Sequence, residues 1–261
     1  RIGGGYKGQD ASIRNAWQTI VPDGVSITAD ATDNGDGGTV IIWADGYTGY
    51  ATDLSATGGP NGGNGGFAEV SGLQLLNFQG IANLTAPTGT TGTLLLDPYD
   101  LTISSDPRNS VTTTAPFYST GTGSILNTTD LASALTTASV TVSTSNTGDT
   151  LGGTEQGDIT INNSVQWFGA NTLTLEADDD IFINANIRAV DGSLVMTADY
   201  NDDAASVGTG QILISSGAEV IIDNAAASLT ATAYGNIDDG IAGSGEGAFR
   251  VNGTSSFTST N

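Results

Sequence analysis

Carboxylates carry almost all the chemistry available to this sequence. Its 261 residues include 28 Asp and Glu against six Lys and Arg, with neither His nor Cys. The acids gather in four places: Asp30, Asp33 and Asp36 in "DATDNGDGG"; Asp178, Asp179 and Asp180; Asp202 and Asp203; and Asp238 and Asp239. Calcium takes roughly six to eight hard oxygen ligands, which Asp-rich turns and their carbonyls can supply, so each cluster is a candidate calcium site. "DATDNGDGG" does not follow the D-x-[DN]-x-[DN]-G calcium loop in register. The competing reading is a solvated corner, because Asp and Asn satisfy turn backbones by themselves.

Adjacent Asp179 and Asp180 can also be cast as the carboxylate pair of a polysaccharide hydrolase or lyase, one of them with a raised pKa. Little else assists catalysis. Without His and Cys there is no thiol nucleophile, no disulfide framework, no usual zinc site and no Ser-His-Asp machinery. Arg108, Arg188 and Arg250 are scattered. The sequence is therefore read as a non-enzyme. Four N-x-[ST] sequons, at Asn83, Asn127, Asn162 and Asn252, are candidate glycosylation positions in a chain whose composition produces such matches freely. Trp17, Trp43, Tyr47, Tyr50, Trp167 and Phe168 offer stacking surface for a glycan, although Trp43 and Trp167 fall at strand ends, where core packing is commoner.

The elements that must position these groups are short. Only 38% of the chain is hydrophobic and 37 residues are glycine, so one thick core is not expected and many tight turns are. The formal charge of −22 repels phosphate backbones and anionic lipid, which argues against nucleic-acid partners and membrane insertion and in favour of cations. No run of 18 apolar residues occurs, and the chain opens on Arg1 and a glycine cluster. It reads as a mature piece of something larger.

Alternating runs recur in the C-terminal half. Leu173-Thr174-Leu175, Leu194-Val195-Met196, Ile212-Leu213-Ile214 and Leu229-Thr230-Ala231 start 21, 18 and 17 positions apart. A second set, Ile181-Phe182-Ile183 and Val220-Ile221-Ile222, lies between them. Each run has period two and is rich in β-branched residues, with Thr on alternate positions. A repeat of about twenty residues with two short strands, unable to bury its own apolar side, must stack on its neighbours. The expected fold is a parallel β-helix. Thr39 to Trp43 and Phe67 to Val70 are rung strands, and "ATGGPNGGNGG" is a corner between them.

Gly92 to Ser104 reads as strand, Asp97-Pro98 turn and strand. From 105 to 156 the pattern lapses into a Ser/Thr-rich stretch, read as an excursion from the solenoid. It holds one short helix over Thr129 to Leu135, capped by Thr129 or Asp130, and then a strand from Ser139 to Thr144. The expected organisation is N-terminal rungs over 1–104, the excursion over 105–156 and C-terminal rungs over 157–261.

The ordered combination of "RIGGGYKG", "DGGTVIIWADGYTGYATDLSATGG", "GGNGGFAEVSG", "LNFQG", "GTLLLDPYDLTIS", "TDLASAL…VTVST" and "GDITINNSV…TLTLEADDDIFINANI" closely resembles large exoproteins of the filamentous-haemagglutinin type. These are passengers secreted across the Gram-negative outer membrane by the two-partner route. The resemblance spans nearly the whole chain. It implies a right-handed parallel β-helix, secretion to the cell surface with an outer-membrane transporter as partner, and adhesion to a glycan or cell-surface receptor or assembly into a surface fibre. The amino-terminal secretion domain that begins such passengers is not evident. With no cap legible at either end, the chain is also expected to continue, into more of a longer precursor or into a copy of itself stacked end to end.

Overall fold

The computed structural model describes residues 1–107, 123–145, 156–200, 210–238 and 249–259. They form a parallel β-helix with three faces. The first face is one sheet of eight strands: Thr39–Ala44, Phe67–Gly72, Thr93–Leu96, Ser139–Ser143, Leu173–Ala177, Leu194–Ala198, Ser228–Ala233 and Thr254–Ser259, all parallel to their neighbours. Period-two alternation sends one set of side chains inward. Val40, Ala68, Leu94, Val140, Leu173, Leu194 and Leu229 are mutual register partners along the axis, none more than 6% exposed.

The second face begins with Gln18–Val21, Tyr47–Tyr50 and Leu75–Phe78. Here Val21, Tyr50 and Phe78 share a row, with the two rings stacked 5.5 Å apart at 10°. It continues as Ser124–Asn127, Leu101–Ser104, Ile159–Ile161, Ile181–Ile183, Ile212–Ile214 and Ile237–Asp238. The Leu76 N–H donates to Ser124 Oγ at 3.0 Å, so after Leu101–Ser104 the chain returns to place Ser124–Asn127 one rung back, beside Leu75–Phe78. The third face holds Ser26–Thr28, Asp53–Ser55 and Ala82–Asn83 in its first half and Val165–Trp167, Ile187–Ala189, Val220–Ile222 and Phe249–Val251 in its second.

Between those two halves lies the helix Thr128–Ala134. It is an integral part of the stack. Leu131, Ala134 and the following Leu135 and Ala138 are at most 1% exposed and join the core that runs the length of the protein. The Thr137 Oγ1–H reaches back to Ala82 O at 2.9 Å, and the Asn171 side-chain amide reaches forward to Leu135 O at 2.9 Å. The helix cap is Asn127, whose Oδ1 accepts from Thr129 N and Oγ1, and not Thr129 or Asp130 as expected. Ser139–Ser143 pairs with Thr93–Leu96 on one side and Leu173–Ala177 on the other. The stretch expected to be an excursion thus contains a rung.

Two further expectations change. Each coil has three sides where two strands were expected, all three being strands except in the coil that holds the helix, so Ile181–Ile183 and Val220–Ile222 belong to different faces. Ile212–Ile214 belongs with Ile181–Ile183 and not with Leu194. Register partners on the first face are 21 residues apart at closest (Leu173, Leu194) and 46 at most (Thr93, Ser139), so a twenty-residue period describes one coil only.

The glycine-rich corners stack backbone on backbone. The Gly37 N–H donates to Asn64 O, Gly59 to Gly35 O and Gly65 to Thr90 O. At Gly65 a Cβ would sit 1.7 Å from Leu84 O, a spacing no side chain permits. Glycine here serves the contact between coils.

The first 17 residues fold over the outside of the first face. Ile2 bridges to Ile42 through hydrogen bonds to Ile41 and Trp43. A 3-10 turn, Tyr6–Gly8, then crosses the sheet, leaving Trp43 only 2% exposed. Gly8, at φ +64, lies so close that a Cβ would meet the Trp43 ring at 2.6 Å.

Candidate functional site

Among the described residues, three carboxylates come within ligand distance of one another at a corner where the first face turns into the second. Asp158, Asp179 and Asp180 each place a carboxylate oxygen within 4.8 Å of the others. Two of the three were legible in the sequence; Asp158 was not. The corner is held by carboxylates capping the next coil: Asp100 Oδ1 accepts from Gly157 N (2.8 Å) and Asp158 N (2.9 Å), Asp158 Oδ1 from Asp180 N (3.1 Å), and Asp180 Oδ1 from Gln211 N (2.7 Å). Each thus satisfies backbone one rung along and keeps a second oxygen for other work.

Burial pushes the Asp158 carboxyl up to about 6, with Asp100, Asp179 and Asp180 adding like-charge repulsion beyond the relief from its hydrogen bond. Burial likewise pushes Asp179 up to about 6, reinforced by Asp180, Asp199 and Asp178. Asp180 is raised chiefly by burial. Three crowded carboxylates that resist ionisation are what a divalent cation relieves, since a bound ion reverses the local electrostatics. Such a site takes three protein oxygens and fills its remaining positions with water.

The other candidates do not converge with these. Asp30 accepts from Ser55 Oγ and Thr57 N, Asp33 from Asn61 Nδ2, and Asp36 from Asn64 N, each a cap on the next glycine-rich corner. Asp178 is fully buried, while Asp238 is exposed in the strand Ile237–Asp238. Asp202, Asp203, Asp239 and Arg108 lie outside the described residues. Among the sequons, Asn127 is committed to the helix cap, Asn83 Oδ1 accepts from Thr85, Asn162 Oδ1 from Asn184, and Asn252 Nδ2 donates to Asp223 O. Of the aromatic residues considered for glycan stacking, Trp43, Tyr47, Tyr50 and Trp167 are at most 8% exposed and belong to the interior. Trp17 and Phe168 are 63% and 64% exposed.

A second charged group went unnoticed in the sequence. Lys7, the single lysine, places Nζ 3.4 Å from Asp97 Oδ2 and 3.3 Å from Ser143 Oγ. Its backbone N–H donates to both oxygens of Glu69, at 3.0 and 3.2 Å. Glu69 is completely buried, and burial lifts its carboxyl to about 7 against the relief from that hydrogen bond. These contacts fasten the N-terminal segment to the first face. The available signals were the lone lysine and an acid in the middle of the rung Phe67–Gly72.

No protein-family model matches the chain, and no curated protein is similar to it. Among the described residues no helix is long and apolar enough to cross a membrane.

Proposed function

We propose that this chain is a secreted, extracellular β-helix of a Gram-negative bacterium that mediates adhesion through its side surface, as its resemblance to filamentous-haemagglutinin-type passengers implies. The observation that carries this reading is the first face. Beyond the coils covered by the N-terminal segment, its last four strands present outward rows in unbroken register that are largely hydroxyl-bearing: Thr174, Val195, Thr230 and Ser256 in one, Glu176, Thr197, Thr232 and Thr258 in the next. A flat, regular, polar surface of this kind suits repeated weak contacts to a glycan or cell-surface receptor, whose strength adds by multivalency. The test is adhesion of beads coated with the folded chain to cultured cells. Adhesion well above that of beads carrying the heat-unfolded chain supports the proposal, and equal adhesion contradicts it.

A second reading, stacking end to end into a filament, is favoured by the strand Thr254–Ser259, whose six residues are all exposed. Among the described residues this strand pairs on one side alone, and such an edge accepts another strand, from further chain or from a second copy. Concentration-dependent growth in light scattering distinguishes self-stacking. We read the corner of Asp158, Asp179 and Asp180, whose carboxylate oxygens lie within 4.8 Å of one another, as a clamp that holds calcium between coils in preference to the carboxylate pair of a polysaccharide-cleaving enzyme.

A further inference from the structure

A cleft of about 440 Å³ opens where the N-terminal segment crosses the first face, lined by Tyr6, Lys7, Gln9, Phe67, Thr93, Leu95, Thr141, Glu176 and Tyr200. Its wall and floor differ in character. Tyr6 and Tyr200 stand at the rim, 47% and 45% exposed, and Tyr6 packs its ring 5.9 Å from Phe67. The floor is made of outward side chains of the first face, Thr93, Thr141 and Glu176 among them, while Asp97 and Ser143 are buried beside it under Lys7. Ser143 and Glu176 are register partners, and Asp97 follows Leu96, the partner of Val142, so Asp97, Ser143 and Glu176 lie side by side on successive rungs, about 4.8 Å apart per rung.

Lys7 serves only part of this row. Its Nζ sits between Asp97 and Ser143. Asp97 is 4% exposed, and its Oδ1 has no hydrogen-bond partner. The half-buried Glu176 carboxylate accepts no hydrogen bond from any described residue, although it lies within electrostatic reach of both Lys7 and Asp97. Glu69 adds a third acid close to Asp97. Asp97 and Glu69 are buried beneath Lys7, so Glu176 is the one carboxylate in the cleft lining, and a cation with hydrogen-bond donors would complete it. The backbone is also set for the purpose. Lys7 (φ 49), which lines the cleft, and Asp199 (φ 59), the residue before Tyr200, are the two non-glycine residues in the left-handed region among those described. Such conformations gather at ligand clamps.

We propose that this cleft binds a primary ammonium group on a short aliphatic chain, with the ammonium on Glu176 and the chain between Tyr6 and Tyr200. Aromatic faces favour an organic cation over a fully hydrated inorganic ion, and the carboxylate supplies a charge-assisted acceptor. The inference is independent of the adhesive reading: it concerns a site within reach of a single side chain or small molecule, whatever surface the protein binds.

The experiment is a titration followed by protein NMR at neutral pH and physiological ionic strength, with n-butylammonium as probe and n-butanol as its neutral counterpart. The ammonium is expected to shift signals of Tyr6, Gln9, Glu176 and Tyr200 in a saturable way, and butanol is not. Glu176→Gln should weaken binding by about tenfold, the worth of one charge-assisted hydrogen bond, while Asp23→Asn, which removes the same charge far from the cleft, should leave it unchanged. Tyr200→Leu should weaken it by a smaller factor. Equal response to butanol, or equal affinity in the Glu176→Gln and Asp23→Asn variants, would overturn the proposal and leave the cleft as the seam of the N-terminal segment.

Discussion

At the scale of single residues, the dominant feature is acid held where it does not want to ionise. Glu69, raised to about 7, and Asp158 and Asp179, raised to about 6, bind protons more tightly folded than unfolded. Between their ordinary values and these raised ones the native state carries more protons, so stability is greatest below the lower limit and is lost as pH rises through the upper. The melting temperature is therefore expected to climb as pH falls from about 8 to about 5, a window named by those shifts. A melting temperature that falls steadily over the same range would contradict it. Calcium should act on the same corner. It is expected to raise the melting temperature at fixed ionic strength by binding only the folded form, and more above pH 6 than below. In Asp179→Asn the protein without calcium should be at least as stable as the parent, because a repelled charge is gone, while the gain from calcium should disappear. A parent and variant that respond equally to calcium and to chelator would leave these aspartates as caps alone.

At the scale of elements, the helix Thr128–Ala134 is the most informative. Leu131 is fully buried within the continuous core, so Leu131→Ala should cost about 2–5 kcal/mol. Asn127→Ala, which removes the acceptor for Thr129 N and Oγ1, should cost about 1 kcal/mol. If chemical denaturation shows Leu131→Ala to be nearly neutral, the helix is peripheral after all. The existence of the helix was legible in the sequence, although its cap was misplaced at Thr129 or Asp130 where Asn127 serves. Its place inside the stack was not, because nothing local says that Thr137 will meet Ala82 or that Asn171 will meet Leu135.

The same distinction runs through the strands. Rungs such as Thr39–Ala44 and Leu173–Ala177 announce themselves by period two and β-branching. Val165–Trp167 and Ile187–Ala189 are three residues long with polar Gln166 and Arg188 outward, which hides them among turns, so of that half of the third face only Val220–Ile222 was read, and it was grouped with Ile181–Ile183. Coils of unequal length then scattered its register. The site suffered most. Lys7 meets Glu69 and Ser143 across 62 and 136 residues of sequence, and Asp158 meets Asp179 only because two coils stack. Residue types revealed that carboxylates would matter, whereas which of them meet depends on coil lengths that no local pattern encodes.

At the scale of the whole molecule, the core runs through the N-terminal coils, the helix and the C-terminal coils without interruption. A stack of this kind transmits load along its axis through ladders of backbone hydrogen bonds and keeps its side faces flat. That geometry is the basis for reading the first face as a contact surface. The most direct measurement is the adhesion of beads coated with the parent chain and with two doubly substituted variants. Thr230→Glu with Thr232→Glu places charge on the outward rows of the first face. Ser26→Glu with Thr28→Glu places the same charge on the exposed third face. With circular dichroism confirming the fold of all three, the account predicts severalfold lower adhesion for the first-face variant and unchanged adhesion for the third-face variant. Equal adhesion by the two variants, whether both retained or both lost, would contradict it.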